Sequence, residues 1–586
     1  MNSPASNSGA SATGERLARL VPLARWIRTY RREDFSGDLV AGIVTAILLV
    51  PQGMAFALLA GLPPQAGIYA SILPPVAYAL FGSSRTLAVG PVSVAAIMVA
   101  HALAQLPPGT DPVGAALLLA LLCGAMLLGM GLARMGVLAN FLSHPVLSGF
   151  TSAAAVIIVL SQLPGLTGTQ WPRLADFAAH PSAVLDALRS MQPGALLIGA
   201  AGIALLLLAG SPLQRLLARA GLSAASALMI SRTMPLVVVV GAALFAGHLG
   251  AGVAVVGDIP RGLPSLALEL PAAAELSSLA VSALLISLVG YVESLSIAKV
   301  LAHRRRQSID ANQELIALGA ANLAAGVSAG MPVAGGFSRT LVNYAAGART
   351  QIASVVTAVL VAAAVLALAP LLSQVPKAAL AAIIIVAVIR LIDLRGAAAV
   401  WRYDRVDGAV LAGTAAGVLL LGIEIGLALG IAASLASFAL RAARPHVAIL
   451  GRLPGSEHFR NVRRHEVETW PHLLLIRVDE NLSFANAGFL ESTIAAELAA
   501  HHEVRHVILV MSSVNAVDST ALEALQRVAL AVAEAGVTLH LSDVKGPVMD
   551  HLQRAQFEHW LQDGQVFLSA HQAVEALGRA SATGGK

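Results

Sequence analysis

The sequence predicts a polytopic α-helical membrane protein that ends in a small soluble α/β domain. Three observations carry this expectation. Of 586 residues, 57% are hydrophobic and only 12% charged, a balance that ordinary soluble domains do not show. Many apolar runs approach the roughly 20 residues needed to span a bilayer. After Arg441-Ala-Ala-Arg-Pro445 the chain turns charged and rich in histidine. The expected division is therefore 1–35, a disordered start and basic segment; 36–445, the membrane domain; and 446–586, the C-terminal domain.

Taken in order, residues 1–14 are mainly Ser, Ala, Asn and Gly, with too little apolar surface to fold. Arginines at 16, 19, 25, 28, 31 and 32 then interleave with Leu20, Val21, Leu23 and Trp26. That pattern reads as an amphipathic helix on the cytoplasmic membrane surface. No small-residue cleavage site follows the first apolar run, so it is not a signal peptide.

About fourteen segments follow, at 36–59, 66–81, 90–105, 113–133, 137–161, 193–210, 229–248, 276–301, 310–328, 337–346, 350–371, 377–391, 405–421 and 424–441. Two are half-length and several others short. The last two share so few residues that one long tilted span is the alternative. With the N-terminus inside, the inner loops hold Arg85, Arg134, Arg215, Arg219, Arg304, Arg305, Arg306, Arg349, Arg395 and Arg402. The outer connections hold only Arg173, Arg189, Arg261 and Lys377. Basic residues favour the cytoplasmic side, and an even count puts both termini there, as expected of a multi-pass protein of the cell membrane.

Two stretches break the apolar pattern. In Arg85–Ala100, Gly90-Pro91 interrupts the run. Proline lacks an N–H, disfavours helix in the residue before it and suits a first helical turn, so extended chain should give way to a helix near Pro91. In Gly330–Tyr344, glycines and Pro332 precede Phe337, and a helix can begin near Ser338. Extended backbone at membrane depth is tolerated only inside protein or against a wet cavity. Each helix start there offers free N–H groups and roughly half a positive charge, which makes an anion site from backbone. Interrupted segments at corresponding places in two halves mark a binding site at the midplane. The alternative is a pair of kinked helices packed on small residues.

In the C-terminal region, Leu473–Val478, Val507–Met511 and Val537–Leu541 read as strands. They alternate with helices at Gly488–Ala500, Asp518–Ala535 and Val548–Ala555, as in a small α/β domain. The single Cys123 reads as a core residue and permits no disulfide. No metal, nucleotide or nucleophile motif stands in a convincing context, so neither an enzyme, a cofactor, a bound metal nor a nucleic-acid partner is expected.

The chain resembles the SulP family of inorganic-anion transporters, the sulfate permeases, with a C-terminal STAS domain. The resemblance covers about residues 30 to 570. It rests on Asp38-Leu-Val-Ala-Gly-Ile, Val50-Pro-Gln-Gly-Met-Ala-Phe-Ala57, Gly61-Leu-Pro-Pro, Gly67-Ile-Tyr-Ala and Phe81-Gly-Ser-Ser-Arg85. It continues through Val89-Gly-Pro91, Asn312-Gln-Glu-Leu315, Gly336-Phe-Ser-Arg-Thr340 and Gly347-Ala-Arg-Thr-Gln351. It implies fourteen segments in two inverted seven-segment repeats, a core domain moving against a gate domain, and a homodimer. It places the two interrupted stretches at the third and tenth segments, whose helix starts face each other across the anion.

The resemblance assigns substrate contacts to Gln52, Phe56, Val92, Ser93, Phe337, Ser338 and Arg339. Gln52 can donate to an oxyanion, or it packs as an amide beside the Pro51 kink. Ser338 offers hydroxyl and backbone donors. Arg339 would cost roughly 2.5–3.5 kcal/mol in lipid and must face the interior, either to raise the anion potential or to form an ion pair. Glu293 matches the family's eighth-segment acid and is the candidate proton carrier; its alternative is a fixed partner for Arg339 or Lys299. Asp310-x-x-Gln313 reads as a capping box and Glu424 as a turn residue near the outer surface. In the STAS domain Ser519, in Asp518-Ser-Thr520, matches a serine that is phosphorylated in bacterial anti-sigma antagonists, whereas simple helix capping needs no regulation.

The expected function is secondary transport of an inorganic oxyanion, sulfate first, by proton-coupled symport. Val92 stands where chloride- and bicarbonate-handling relatives commonly have Phe. Bicarbonate or dicarboxylate transport, anion exchange, and a membrane-anchored sensor signalling through the STAS domain are the alternatives.

Overall fold

The computed structural model describes residues 21–23, 27, 30–141, 143–172, 181–246, 253–257, 262–263 and 273–578. Of the basic segment at 16–32, residues 16–20, 24–26 and 28–29 lie outside these residues, as do Arg173 and Arg261. The chain divides into two compact units, Met1–Ser434 and Leu435–Lys586.

In the first unit the apolar segments are nearly all helical. Among the described residues six helices are long and apolar enough to cross a bilayer, and a seventh span arises if Ser182–Arg189 and Pro193–Leu208, bent by 89°, count together. The others are short or interrupted, and the interruptions follow local chemistry. The stretch expected at 66–81 is two helices, Pro64–Tyr69 and Leu73–Phe81. Pro74 and Pro75 suit a new first turn but cannot close bonds onto a preceding one. The segment expected from 137 begins at His144, after a 3-10 turn at Met135–Phe141. Near the end, Gly422 at φ +97° separates Arg405–Leu421 from Ile423–Ala443, so this region is two helices and not one tilted span.

Close helix packing depends on small residues. Pro112–Leu132 lies along Ala311–Val327, with Gly124 against Leu323 and Gly319 against the Leu128 backbone. Arg32–Leu59 packs on Ile352–Leu372, His144–Ser161 on Arg405–Leu421, and Pro193–Leu208 on Lys377–Val388. Leu197, Leu208, Val359, Leu366, Leu420 and Phe438 point outward and are exposed. A surface this apolar fits lipid and not water.

Several acidic side chains of this unit are paired, Asp38 and Glu314 among them fully buried. Asp38 accepts from the Arg349 and Thr350 N–H groups at 2.6 and 2.9 Å and from Thr350 Oγ1 at 2.5 Å. Glu314 accepts from Tyr78 Oη and Ser83 Oγ, both at 2.7 Å, and from the N–H groups of Ser83 and Ser84 at 2.9 and 3.0 Å. Asp310 caps its helix through the N–H groups of Asn312 and Gln313, while the Gln313 amide donates to Phe81 O. Glu424 opens the last membrane helix and accepts from Ser282 Oγ.

The second unit carries a six-stranded sheet in the order β4-β3-β5-β6-β7-β8. Its strands are β3 (Val447–Arg452), β4 (Phe459–Asn461), β5 (Leu473–Val478), β6 (His506–Val510), β7 (Thr538–Ser542) and β8 (Val566–Phe567). β5 to β8 run parallel, and β3 is antiparallel to both neighbours. Helices Ala487–Ala500, Ser519–Glu534 and Gly546–Arg554 cover one face, and Ala570–Gly578 covers the other. The three expected strands and three expected helices are present; β3, β4, β8 and the last helix add to them.

Candidate functional site

Two short strands organise the membrane unit. β1 (Val89–Gly90) and β2 (Ala334–Gly335) pair antiparallel, Val89 opposite Gly335 and Gly90 opposite Ala334. The ladder satisfies backbone groups that could find no water at this depth. Side chains satisfy the flanks. Asn322 accepts from Val333 N–H and donates to Val333 O, each at 2.9 Å. Thr340 Oγ1 accepts from Ala88 N–H at 3.1 Å, and Asn343 Nδ2 donates to Thr86 O at 3.0 Å. Gln351 Nε2 donates to Ser84 O and Leu87 O at 2.7 and 3.0 Å.

A helix leaves each strand. Ser93–Ala104 follows Val92, and Phe337–Ala345 follows Gly336. The first starts two residues beyond Pro91, after Val92 in extended conformation. Neither helix has a side-chain cap, so their first N–H groups remain available to a ligand. Arg32–Leu59 and Ala273–Arg304 pack against both short helices.

Gln52 is 9% exposed, and among the described residues its amide makes no hydrogen bond. Phe56 and Val92 are buried in the same apolar cluster. Ser93 is half-buried at the first turn. Phe337 is 50% exposed and Ser338 is also exposed, so the second helix start opens outward more than the first. Glu293 is partly buried and makes neither a hydrogen bond nor an ion pair within 4.0 Å among the described residues; Arg339 is the charge that acts on it.

Arg339 faces the interior, and its bonds go to backbone carbonyls. It is 3% exposed, and its Nε and Nη1 donate to Ala88 O and Pro91 O, each at 3.2 Å. It thus pins the second helix to the strand that precedes the first, with no ion pair within 4.0 Å among the described residues. A Cβ on Gly90 would lie 3.3 Å from its guanidinium. Among the described residues Nη2 has no partner, and neither have Thr45 Oγ1 and Asn343 Oδ1. All three residues line one internal void of about 10 Å³, room for about one water.

Ser519 lies in the other unit, exposed at the first turn of its helix, beside Asp518, which caps Ala521 N–H at 2.8 Å. A surface cavity of about 380 Å³ there also takes in His551 and Arg554. Sequence reasoning passed over Asp38, Ser294, Glu314, Asn322, Thr340 and Gln351 as individual residues. Asp38, Glu314, Thr340 and Gln351 stand inside the motifs quoted above, and an acid within an apolar helix is a signal in itself.

A bundle of broken apolar helices with two backbone-donor helix starts, joined to an α/β unit, defines a polytopic membrane protein of the anion-carrier class. The chain belongs to the sulfate permease family, whose sequence model matches residues 35–414; the STAS domain model matches 464–573. It is 34% identical over 571 residues to the chloroplastic sulfate transporter 4.1 of Arabidopsis thaliana, covering 95% of this chain and 82% of that one. It is 34% identical over 559 residues to the probable sulfate transporter MT1781 of Mycobacterium tuberculosis, covering 94% and 97%. The fold is similar to the overall structure of SLC26A9 at a TM-score of 0.88, with 23% identity, 99% of this chain and 97% of that one covered. The transmembrane domain of the cyanobacterial bicarbonate transporter BicA aligns at a TM-score of 0.58, with 21% identity, over 69% and 98%. The membrane unit therefore has the fold of two inverted seven-segment repeats.

Proposed function

We propose that this protein is a secondary transporter of an inorganic oxyanion, sulfate first, coupled to protons. The observation that carries the reading is the β1–β2 ladder with its two uncapped helix starts, Ser93 and Phe337, and the Gln52 amide, unbonded among the described residues, on a helix that packs against both short helices. Backbone N–H groups and an amide donate without carrying a formal charge. Such a site holds an anion by hydrogen bonds and two helix dipoles, and lets it go again. The naming of the relatives as sulfate transporters supports sulfate as the substrate.

Arg339 contributes positive potential while its own hydrogen bonds keep it out of the ligand's way. Gln52, Phe56, Val92, Ser93, Phe337 and Ser338 are proposed to line the anion's seat. Bringing divalent sulfate into a cell at −100 mV costs about 4.6 kcal/mol, so uptake needs a driving ion. Glu293, with no ion pair within 4.0 Å among the described residues, is the proposed proton carrier: protonated, it stops repelling the anion.

Alternating access by a core against a gate, a homodimer, cytoplasmic termini, the domain limits 36–445 and 446–586, and modification of Ser519 belong to the same reading. Purified protein in liposomes should take up radiolabelled sulfate, faster with an inward proton gradient. Flux of another anion without sulfate flux would refute the substrate; anion binding with no flux at all would refute transport.

A further inference from the structure

Two helices of the membrane unit, Pro112–Leu132 and Ala273–Arg304, end close to the start of a third, Ala311–Val327. Between them opens a cavity of about 930 Å³, whose lining includes Arg85, Arg134 and Arg306. All three arginines are exposed, and among the described residues none has a carboxylate within 4.0 Å. The neighbouring cavity shows the contrast. There Arg349 pairs with Asp34 at 3.1 Å, while Arg305 donates to Ala348 O at 2.6 Å and lies 4.3 Å from the centroid of the Tyr344 ring. The acid in the first cavity is Asp310, and Oδ1 of its carboxylate is taken by two backbone N–H groups. The cavity is left with an excess of positive charge.

Two of the three arginines hold their places against backbone preference. Arg134 and Arg306 have φ of +57° and +53°. Each ends its helix in the left-handed conformation that glycine normally supplies. Glycine would serve these turns better, so the turns themselves do not require arginine. The cavity also has an apolar side: Leu132 in its lining is 65% exposed, and Val137 nearby is 60% exposed. Cationic groups beside exposed aliphatic ones, at the ends of membrane helices, match a ligand that is anionic at one end and hydrocarbon at the other.

We infer that this cavity binds the headgroup of an anionic phospholipid carrying at least two negative charges, with its acyl chains running past Leu132. Guanidinium groups take phosphate oxygens in bidentate pairs. The site is separate from the substrate seat and needs no transport for its test.

The intact protein in detergent would be titrated with tetraoleoyl cardiolipin or with phosphatidylcholine and examined by native mass spectrometry. We expect cardiolipin to be retained at least tenfold better. Arg134→Gly with Arg306→Gly should lower that retention at least tenfold while the thermal midpoint stays level or rises, because glycine relieves both turns. Leu132→Ser should weaken cardiolipin but leave inorganic pyrophosphate unaffected. Equal cardiolipin retention by the double glycine variant would overturn the proposal and leave the arginines as topology signals. Pyrophosphate binding as tightly as cardiolipin would overturn the lipid assignment in favour of a free phosphate compound.

Discussion

The N–H of Gly335 donates to Ser294 Oγ at 2.7 Å, and Ser294 in turn donates to Gly290 O at 2.5 Å. One hydroxyl thus ties the strand before the second helix start to the helix that carries Glu293. Ser294→Ala would leave the buried Gly335 N–H without a partner, at about 1–3 kcal/mol. The expected outcome is weaker anion binding and a lower thermal midpoint together. Ser294→Thr keeps the hydroxyl and should recover most of both. Titration of both variants by calorimetry reads the difference.

Gln52→Ala and Ser338→Ala should each weaken anion affinity while the protein stays folded. Each removes a donor to a charged ligand, about 1.5–3 kcal/mol, or roughly ten- to a hundredfold in Kd. Since Gln52 is the more enclosed of the two, its loss should be the larger. Unchanged affinity in both variants would place the anion elsewhere.

Glu293→Gln imitates the protonated acid. Anion binding and anion–anion exchange should persist, and acceleration of uptake by an inward proton gradient should vanish. If the gradient still drives uptake in this variant, the proton travels through another group.

Glu314 tests stability apart from binding. Glu314→Ala strands the Ser83 and Ser84 N–H groups and the Tyr78 hydroxyl, for a loss of roughly 3 kcal/mol or more. Glu314→Gln keeps one oxygen toward Ser83 and Ser84, and its amide can face Tyr78 with the hydroxyl reversed, so about 1 kcal/mol should be lost. Chemical denaturation followed by tryptophan fluorescence would rank the two.

Acid should loosen the edge of the STAS sheet. His540 is 2% exposed; its Nδ1 accepts from Gln565 N–H at 3.0 Å, so Nε2 carries the proton toward His506 Nδ1 at 3.1 Å. Burial first, then the nearby His506, lowers His540 to about 4; burial and His472 lower His506 as well. The unfolded imidazole therefore takes up a proton before the folded one does. Stability is complete above about pH 6.5 and falls as the pH drops toward about 4. Hydrogen exchange at Leu541 and Gln565 in the intact protein should quicken over that window, and His540→Gln should flatten the dependence.

Much of this was legible in the sequence, because bilayer length, proline and glycine act locally. Pro91 announces the break before the third segment. What escaped depends on partners far along the chain. β1 and β2 are two residues each, with no periodicity to read, and they exist only because segments some 245 positions apart meet. For Arg339 the sequence offers two roles, raising the anion potential or forming an ion pair. Its actual bonds to Ala88 O and Pro91 O could not be foreseen, since a sequence shows no carbonyl directions. The stretch 66–81 reads as one span because its hydropathy is continuous, although Pro74 and Pro75 mark a second start.

The β1–β2 pairing also sets an order of events during synthesis. Val89 and Gly90 leave the ribosome long before Ala334 and Gly335 exist. Until then the first half carries peptide groups that lipid cannot satisfy, each costing several kcal/mol. The nascent chain must therefore keep this stretch wet, or held by the insertion machinery, through another 245 residues or so. A half-length fragment would share that defect for good unless a second copy, inserted upside down, lent it the missing strand.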